Sequence, residues 1–200
     1  MSISTTSVTT WSMEQTSPAD LTPFRGGGPD GSSGLPEGVR IVRSERPSPE
    51  FSRFLYTAVG GDLTWTDRLG WPYARWQEFL ARPGVETWVA YEHGTPAGYI
   101  ELDAQDGGTV EISYFGLLPA FRGRGIGGPL LSIGTARAWD LAERWGELAP
   151  TKRVWVHTCS KDGPYALGNY ERRGFRVFDT KVEEEPDVPT PGPWPGAGLF

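Results

Sequence analysis

The sequence predicts an α/β (α+β mixed) fold, a mostly antiparallel sheet flanked by helices. Three observations carry this reading. Short β-branched and aromatic runs alternate with amphipathic ones through residues 38–182. Three of the strand-like runs follow each other through tight turns, as an antiparallel meander does. The later runs then alternate strand, helix, strand, helix, strand, an order that needs crossover connections.

The elements follow in order. Residues 39–43 read as a short strand. A helix over 49–59 has Ser48 as N-cap, and Phe51, Phe54, Leu55 and Ala58 share one face. A loop with Trp65 and Trp71 leads to a second helix over 72–81, with proline at an early position. Strands over 86–91 and 95–103 are joined by a turn at Glu92, His93 and Gly94; Gly107 and Gly108 then turn into a third strand over 109–118. A long helix over 129–145, a strand over 153–158, a helix over 165–173 and a strand over 175–181 complete the pattern.

The tails read differently. Residues 1–37 are rich in Ser, Thr, Gly and Pro, and residues 183–200 in Glu, Pro and Gly; both are expected to be disordered, having too little apolar surface to offset ordering entropy. The net charge of −6 argues against a nucleic-acid partner. One cysteine, Cys159, rules out an intrachain disulfide, and with only His93 and His157 beside it no metal is expected. No signal-peptide pattern or membrane-length apolar run is seen, so the expectation is a cytoplasmic protein with no membrane partner.

The chemistry concentrates in residues 122–128, Arg-Gly-Arg-Gly-Ile-Gly-Gly, set between a strand and a helix. Unpaired amides at a helix start, the helix dipole and glycines that let the backbone approach closely make a phosphate-binding turn. Gly123, Gly125 and Gly128 satisfy a dinucleotide-type G-x-G-x-x-G spacing. Its context fails, because residues 119–122 separate the strand from the first glycine and no acid follows at the ribose position.

Arg122, Gly125 and Gly127 also satisfy R-x-x-G-x-G, which resembles the pyrophosphate loop of the GNAT superfamily of acyl-CoA-dependent N-acetyltransferases. Tyr170, Gly174 and Phe175 resemble that family's Tyr-x-x-x-Gly-Phe signature, with Ala166 four residues before the tyrosine. The element order over 39–181 is similar too, most closely over 109–176. Asp162, Gly163 and Pro164 stand where many members carry an asparagine.

The resemblance implies a GNAT-type fold with a parallel, splayed strand pair, and an enzyme that moves an acetyl group from acetyl-CoA to a primary amine by direct transfer in a ternary complex. A non-catalytic acyl-CoA-binding module on the same fold is the alternative. The acetyl-CoA site would comprise Phe115, Gly116, Leu117 and Leu118 for the pantetheine arm, and Arg122, Gly123, Arg124, Gly125, Ile126, Gly127 and Gly128 for the pyrophosphate. Tyr170 corresponds to the family's usual general acid. Glu111, eleven residues before Arg122, stands where lysine-acetylating members carry a catalytic glutamate, with Glu101, Asp103 and His157 as other candidates for the base. Strand alternation would put Glu111, Ser113 and Phe115 on one face and Ile112 and Tyr114 on the other. The acceptor is expected at Trp65, Asp67 and Arg68, near Trp71 and Tyr73, where aromatic faces and a carboxylate suit a small-molecule amine. Many members pair, which leaves a homodimer open.

Overall fold

The computed structural model describes residues 4–24, 34–187 and 189–192. Seven strands form one sheet among these residues: β1 (Thr5–Gln15), β2 (Val39–Arg43), β3 (Glu86–Glu92), β4 (Thr95–Gln105), β5 (Thr109–Leu117), β6 (Arg153–Cys159) and β7 (Arg176–Pro186). The helices are α1 (Pro49–Gly60), α2 (Tyr73–Leu80), α3 (Gly127–Trp139), α4 (Leu141–Arg144) and α5 (Ala166–Glu171). The strand order is β2-β3-β4-β5-β6-β1-β7, antiparallel throughout except for β5 and β6.

The largest departure from the sequence reading is at the N-terminus. Residues 5–15, expected within a disordered tail over 1–37, form a strand between β6 and β7. Val8 and Met13 are buried, and Gln15, itself buried, accepts from Trp139 Nε1 (2.8 Å) and donates to the Arg173 carbonyl (2.7 Å). Threonine, valine and tryptophan favour the pleated backbone, and two neighbouring strands supply the burial that the segment lacks alone. A capped 3-10 turn follows at Pro18–Asp20. At the other end, β7 continues past residue 182 to Pro186. The remaining parts of both expected tails, residues 1–3, 25–33, 188 and 193–200, lie outside the described residues.

Ser48 Oγ accepts from the Phe51 amide (3.2 Å), starting α1 as its sequence predicts. Leu55 is buried as expected, but Phe54 is exposed, and Ser52, Tyr56 and Val59 join the buried face of α1. The single helix expected over 129–145 begins earlier, at Gly127, and breaks at Asp140. The Asp140 carboxylate holds both Arg137 (3.0 Å) and Arg144, which stabilises the bend between α3 and α4. Arg144 also grips Glu86, a fully buried carboxylate that accepts from Trp88 Nε1 (2.8 Å) and Trp145 Nε1 (2.9 Å) and pairs with Arg43 (3.3 Å).

Two irregularities position the site. Register runs Asp103↔Glu111, Leu102↔Ile112, then Glu101↔Tyr114, so Ser113 is an extra residue in β5. This bulge inverts the alternation beyond it. Tyr114 therefore shares the α1/α2 face with Glu101, Asp103 and Glu111, whereas Phe115 joins Ile112 against α3 and α5, opposite to strict alternation. The second is a fork. β5 and β6 pair only from Thr109↔Arg153 to Glu111↔Trp155, after which β6 pairs with β1 alone.

Candidate active site

A cleft of about 850 Å³ opens where β5 and β6 part. Glu111 stands at the last paired position of the fork, and the glycine turn lies at the other end of the opening. In a closed sheet the two faces are separated by the backbone; here Glu111 from one face and Tyr170 from the other line the same cavity.

The turn is built as a donor surface. Gly123 and Gly125 adopt φ of 74° and 79°, a region open to glycine without a Cβ clash. α3 then begins with no side-chain cap at Ile126, and Pro129 has no amide of its own, so the amides of Gly127 and Gly128 start the helix without intrahelical partners. Beyond Glu111 the β6-facing edge of β5 has no strand paired with it, leaving main-chain groups from Phe115 to Leu117 toward the cleft. Gly116 must lack a side chain, because a Cβ would lie 2.5 Å from Val59 Cγ1.

Most of the residues expected at the site do line this one cleft: Glu111, Phe115, Gly116, Leu117, Arg122, Gly123, Gly125, Gly127, Gly128 and Tyr170, with Trp65, Asp67 and Arg68. Three do not. Leu118 donates its amide to the Ala97 carbonyl (2.9 Å), Ile126 is fully buried in the core, and Arg124 pairs with Glu92 (3.0 Å) away from the opening. Arg122, expected as side-chain support for phosphate, lines the cleft and also braces the turn. Its guanidinium donates to both Asp62 oxygens (2.5 and 2.9 Å) and to the carbonyls of Leu117 (3.1 Å) and Val59 (3.3 Å), tying the turn to the end of α1. Arg122 in turn holds the Asp62 carboxyl below the usual range.

Arg68, expected to contact the acceptor, is buried and bound to Glu101 (2.8 Å). Its guanidinium lies over the rings of Phe79 (4.3 Å), Tyr114 (4.5 Å) and Trp71 (4.8 Å). This cation is a structural pillar under the cleft floor. Trp71 packs on Trp76 and Phe79 and Tyr73 is exposed, neither of them lining the cleft. Trp65 packs at a tilt against Tyr114 (4.8 Å between centroids), whose hydroxyl donates to Asp67 (3.4 Å).

Electrostatics distinguish the two proton-carrying groups. Burial, then the neighbouring Asp103 carboxylate, raises the Glu111 pKa to about 7. Tyr170 is raised by burial and then by Asp162, and its hydroxyl has no hydrogen-bond partner among the described residues. Phe115 and Phe175 fix its ring edge-on, each at 5.9 Å between centroids. His157 Nδ1 lies 3.7 Å from Glu111 Oε1, so two candidates for the base are neighbours. Glu101 is taken by Arg68 and Asp103 by Arg82. Burial raises the Cys159 thiol and so keeps it protonated.

Some lining residues were not singled out from sequence. Asn169 and Arg172 reach the cleft from either side of the Tyr170 turn of α5, and their adjacency to the Tyr-x-x-x-Gly-Phe motif is the signal that marks them. Asp162 caps the end of β6, accepting from Thr158 Oγ1 (2.6 Å) and the Cys159 amide (3.0 Å). No group of three or more metal-ligating side chains occurs among the described residues, and no described helix is long and apolar enough to cross a membrane.

A mixed sheet forked at one parallel pair, with an uncapped glycine turn at the fork, is the architecture expected of a GNAT-type fold. The chain belongs to the acetyltransferase (GNAT) family, whose model matches residues 52–175. It is 32% identical over 109 residues to uncharacterized N-acetyltransferases of Mycobacterium tuberculosis and Mycobacterium bovis, a match covering 54% of this chain and 64% of those proteins. Among solved structures it is similar to a GCN5-related N-acetyltransferase from Kribbella flavida (TM-score 0.59, 18% identity, 90% of this chain and 59% of that one). A second, from Sphaerobacter thermophilus, gives TM-score 0.58 and 18% identity over 92% of this chain and 54% of the other. At these identities the structural likeness speaks for the fold.

Proposed function

We propose that this protein transfers an acetyl group from acetyl-CoA to the primary amine of a small molecule, directly and in a ternary complex. The observation that carries the reading is the fork, which brings a carboxyl with a pKa of about 7 and a buried phenol, its hydroxyl without a partner among the described residues, into one cleft ending at a phosphate-type turn. When bound, acetyl-CoA supplies a thioester carbonyl activated for attack. The residues present fit it: free amides at Gly127 and Gly128 suit a pyrophosphate, and the unpaired edge of β5 suits the pantetheine amides.

In the transfer, the amine nitrogen forms the N–C bond as the thioester C–S bond breaks. Glu111 takes the proton released from nitrogen, and Tyr170 gives its proton to the sulfur. A carboxylate near pKa 7 is well matched to that task at neutral pH. The acid-rich floor, with Asp67 lacking a cationic partner in the described structure, favours cationic acceptors over amino acids bearing a free carboxylate.

The test is acetyl-CoA-dependent thiol release against polyamines, amino acids, aminoglycosides and lysine peptides. Tyr170→Phe and Glu111→Gln should each lower turnover by about 100-fold, the scale of a lost acid or base. Undiminished rates in both variants, or no calorimetric binding of acetyl-CoA, would refute the reading.

A further inference from the structure

Gln105 is not among the residues lining the cleft, lying at the end of β4, yet it hydrogen-bonds the carboxylate that lines it. Trp155, the register partner of Glu111 across the fork, donates its indole N–H to Gln105 Oε1 (3.1 Å). An indole only donates, so the Gln105 carbonyl must face it and the amide NH₂ must face the other way. There it donates to Glu111 Oε2 at 2.7 Å.

We propose that Gln105, oriented by Trp155, is a positioning residue for acetyl transfer, holding Oε2 of Glu111 and leaving Oε1 as the oxygen that takes the acceptor proton. The inference rests on the proposed function and deepens it. Oε1 is the oxygen nearest the half-exposed His157 ring, at 3.7 Å from Nδ1, on the side of the carboxylate away from the tether. A carboxylate without this tether is free to rotate and offer either oxygen in either direction.

The tether also sets the working pH. Glu111 is faced by Asp103 and Glu101 from β4, by Arg68 from the loop after α1 and by His157 from β6; Asp103 is itself paired with Arg82. Burial and the two acids favour the protonated form, whereas Arg68 and the Gln105 amide favour the ionised one. Removing the amide takes away the one neutral donor to Oε2, and the carboxyl titrates higher.

The experiment is a ¹³C-carboxyl NMR titration of the full chain labelled at glutamate, with the Glu111 signal identified by its loss in Glu111→Gln. Gln105→Leu should raise the Glu111 midpoint by about half a pH unit or more, and Gln105→Glu further, because a second charge replaces the donor. Trp155→Phe, which keeps an aromatic side chain but loses the indole N–H along with the pyrrole half of the bicycle, should move it the same way by less. The acid limb of thiol release should follow in each case. A midpoint within about 0.2 of wild type in all three, or a rate loss equal at every pH, overturns the inference. If Gln105→Leu does not fold, Trp155→Phe decides. Failure of the base assignment itself reads out separately, as full turnover in Glu111→Gln alongside a titration that still moves.

Discussion

Glu111 sits in a position that opposes folding once it ionises, a cost that belongs with function rather than stability. Its pKa moves from 4.5 to about 7 on folding, so between those values the native state binds more protons than the unfolded chain. Stability from this group is therefore complete below pH 4.5 and lost as pH rises through 7. Glu111→Gln should match wild type at pH 4 and be more stable by about 2–3 kcal/mol at pH 8.5. Urea denaturation at both pH values checks this, and an equal difference at the two would show that Glu111 titrates normally. That Glu111, Tyr170 and the glycines share one cleft could be expected from sequence, because motif spacing encodes backbone placement. The partners of Arg122 and Arg68 could not, because Asp62 and Glu101 lie 60 and 33 residues away in sequence and only the folded packing joins them.

At the scale of elements, hydrophobic periodicity located the helices and the meander but not the irregularities within them. The Ser113 bulge leaves no mark in composition, and one inserted residue exchanges the faces of Tyr114 and Phe115. The break at Asp140 likewise interrupts a run of good helix formers, and it holds because Arg137 and Arg144 converge on one carboxylate. The network around Glu86 locks that corner against β3. With Glu86 removed, Arg144, Trp88 Nε1 and Trp145 Nε1 lose an acceptor inside the fold. Glu86→Ala should cost about 2–3 kcal/mol, chiefly from the two indole donors left without an acceptor, since Arg144 keeps Asp140. Chemical denaturation measures it, and a loss below about 1 kcal/mol would mean that these donors regain water at little cost.

For the whole molecule, the decisive segment is β1, which the family match over residues 52–175 does not include and which composition alone made look unstructured. Serine and threonine read as solvent-loving in isolation, but alternating with Val8, Trp11 and Met13 between two strands they fill a sheet interior. β7 pairs with no strand other than β1 among the described residues, and beyond the fork β6 depends on β1 as well. Gln15 adds links to α3 and to the residue before Gly174, the end of the segment that carries Tyr170. Deleting residues 1–20 therefore removes the strand on which β6 and β7 pair, together with the support of the proposed acid. The shortened chain should lose its cooperative thermal transition and its affinity for acetyl-CoA. A separate peptide spanning residues 4–21 should restore both when added, since it supplies the missing ladder on its two sides. A deletion that melts at the wild-type temperature and binds acetyl-CoA unaided would show instead that β6 and β7 close on each other, with β1 a covering strand rather than a structural one.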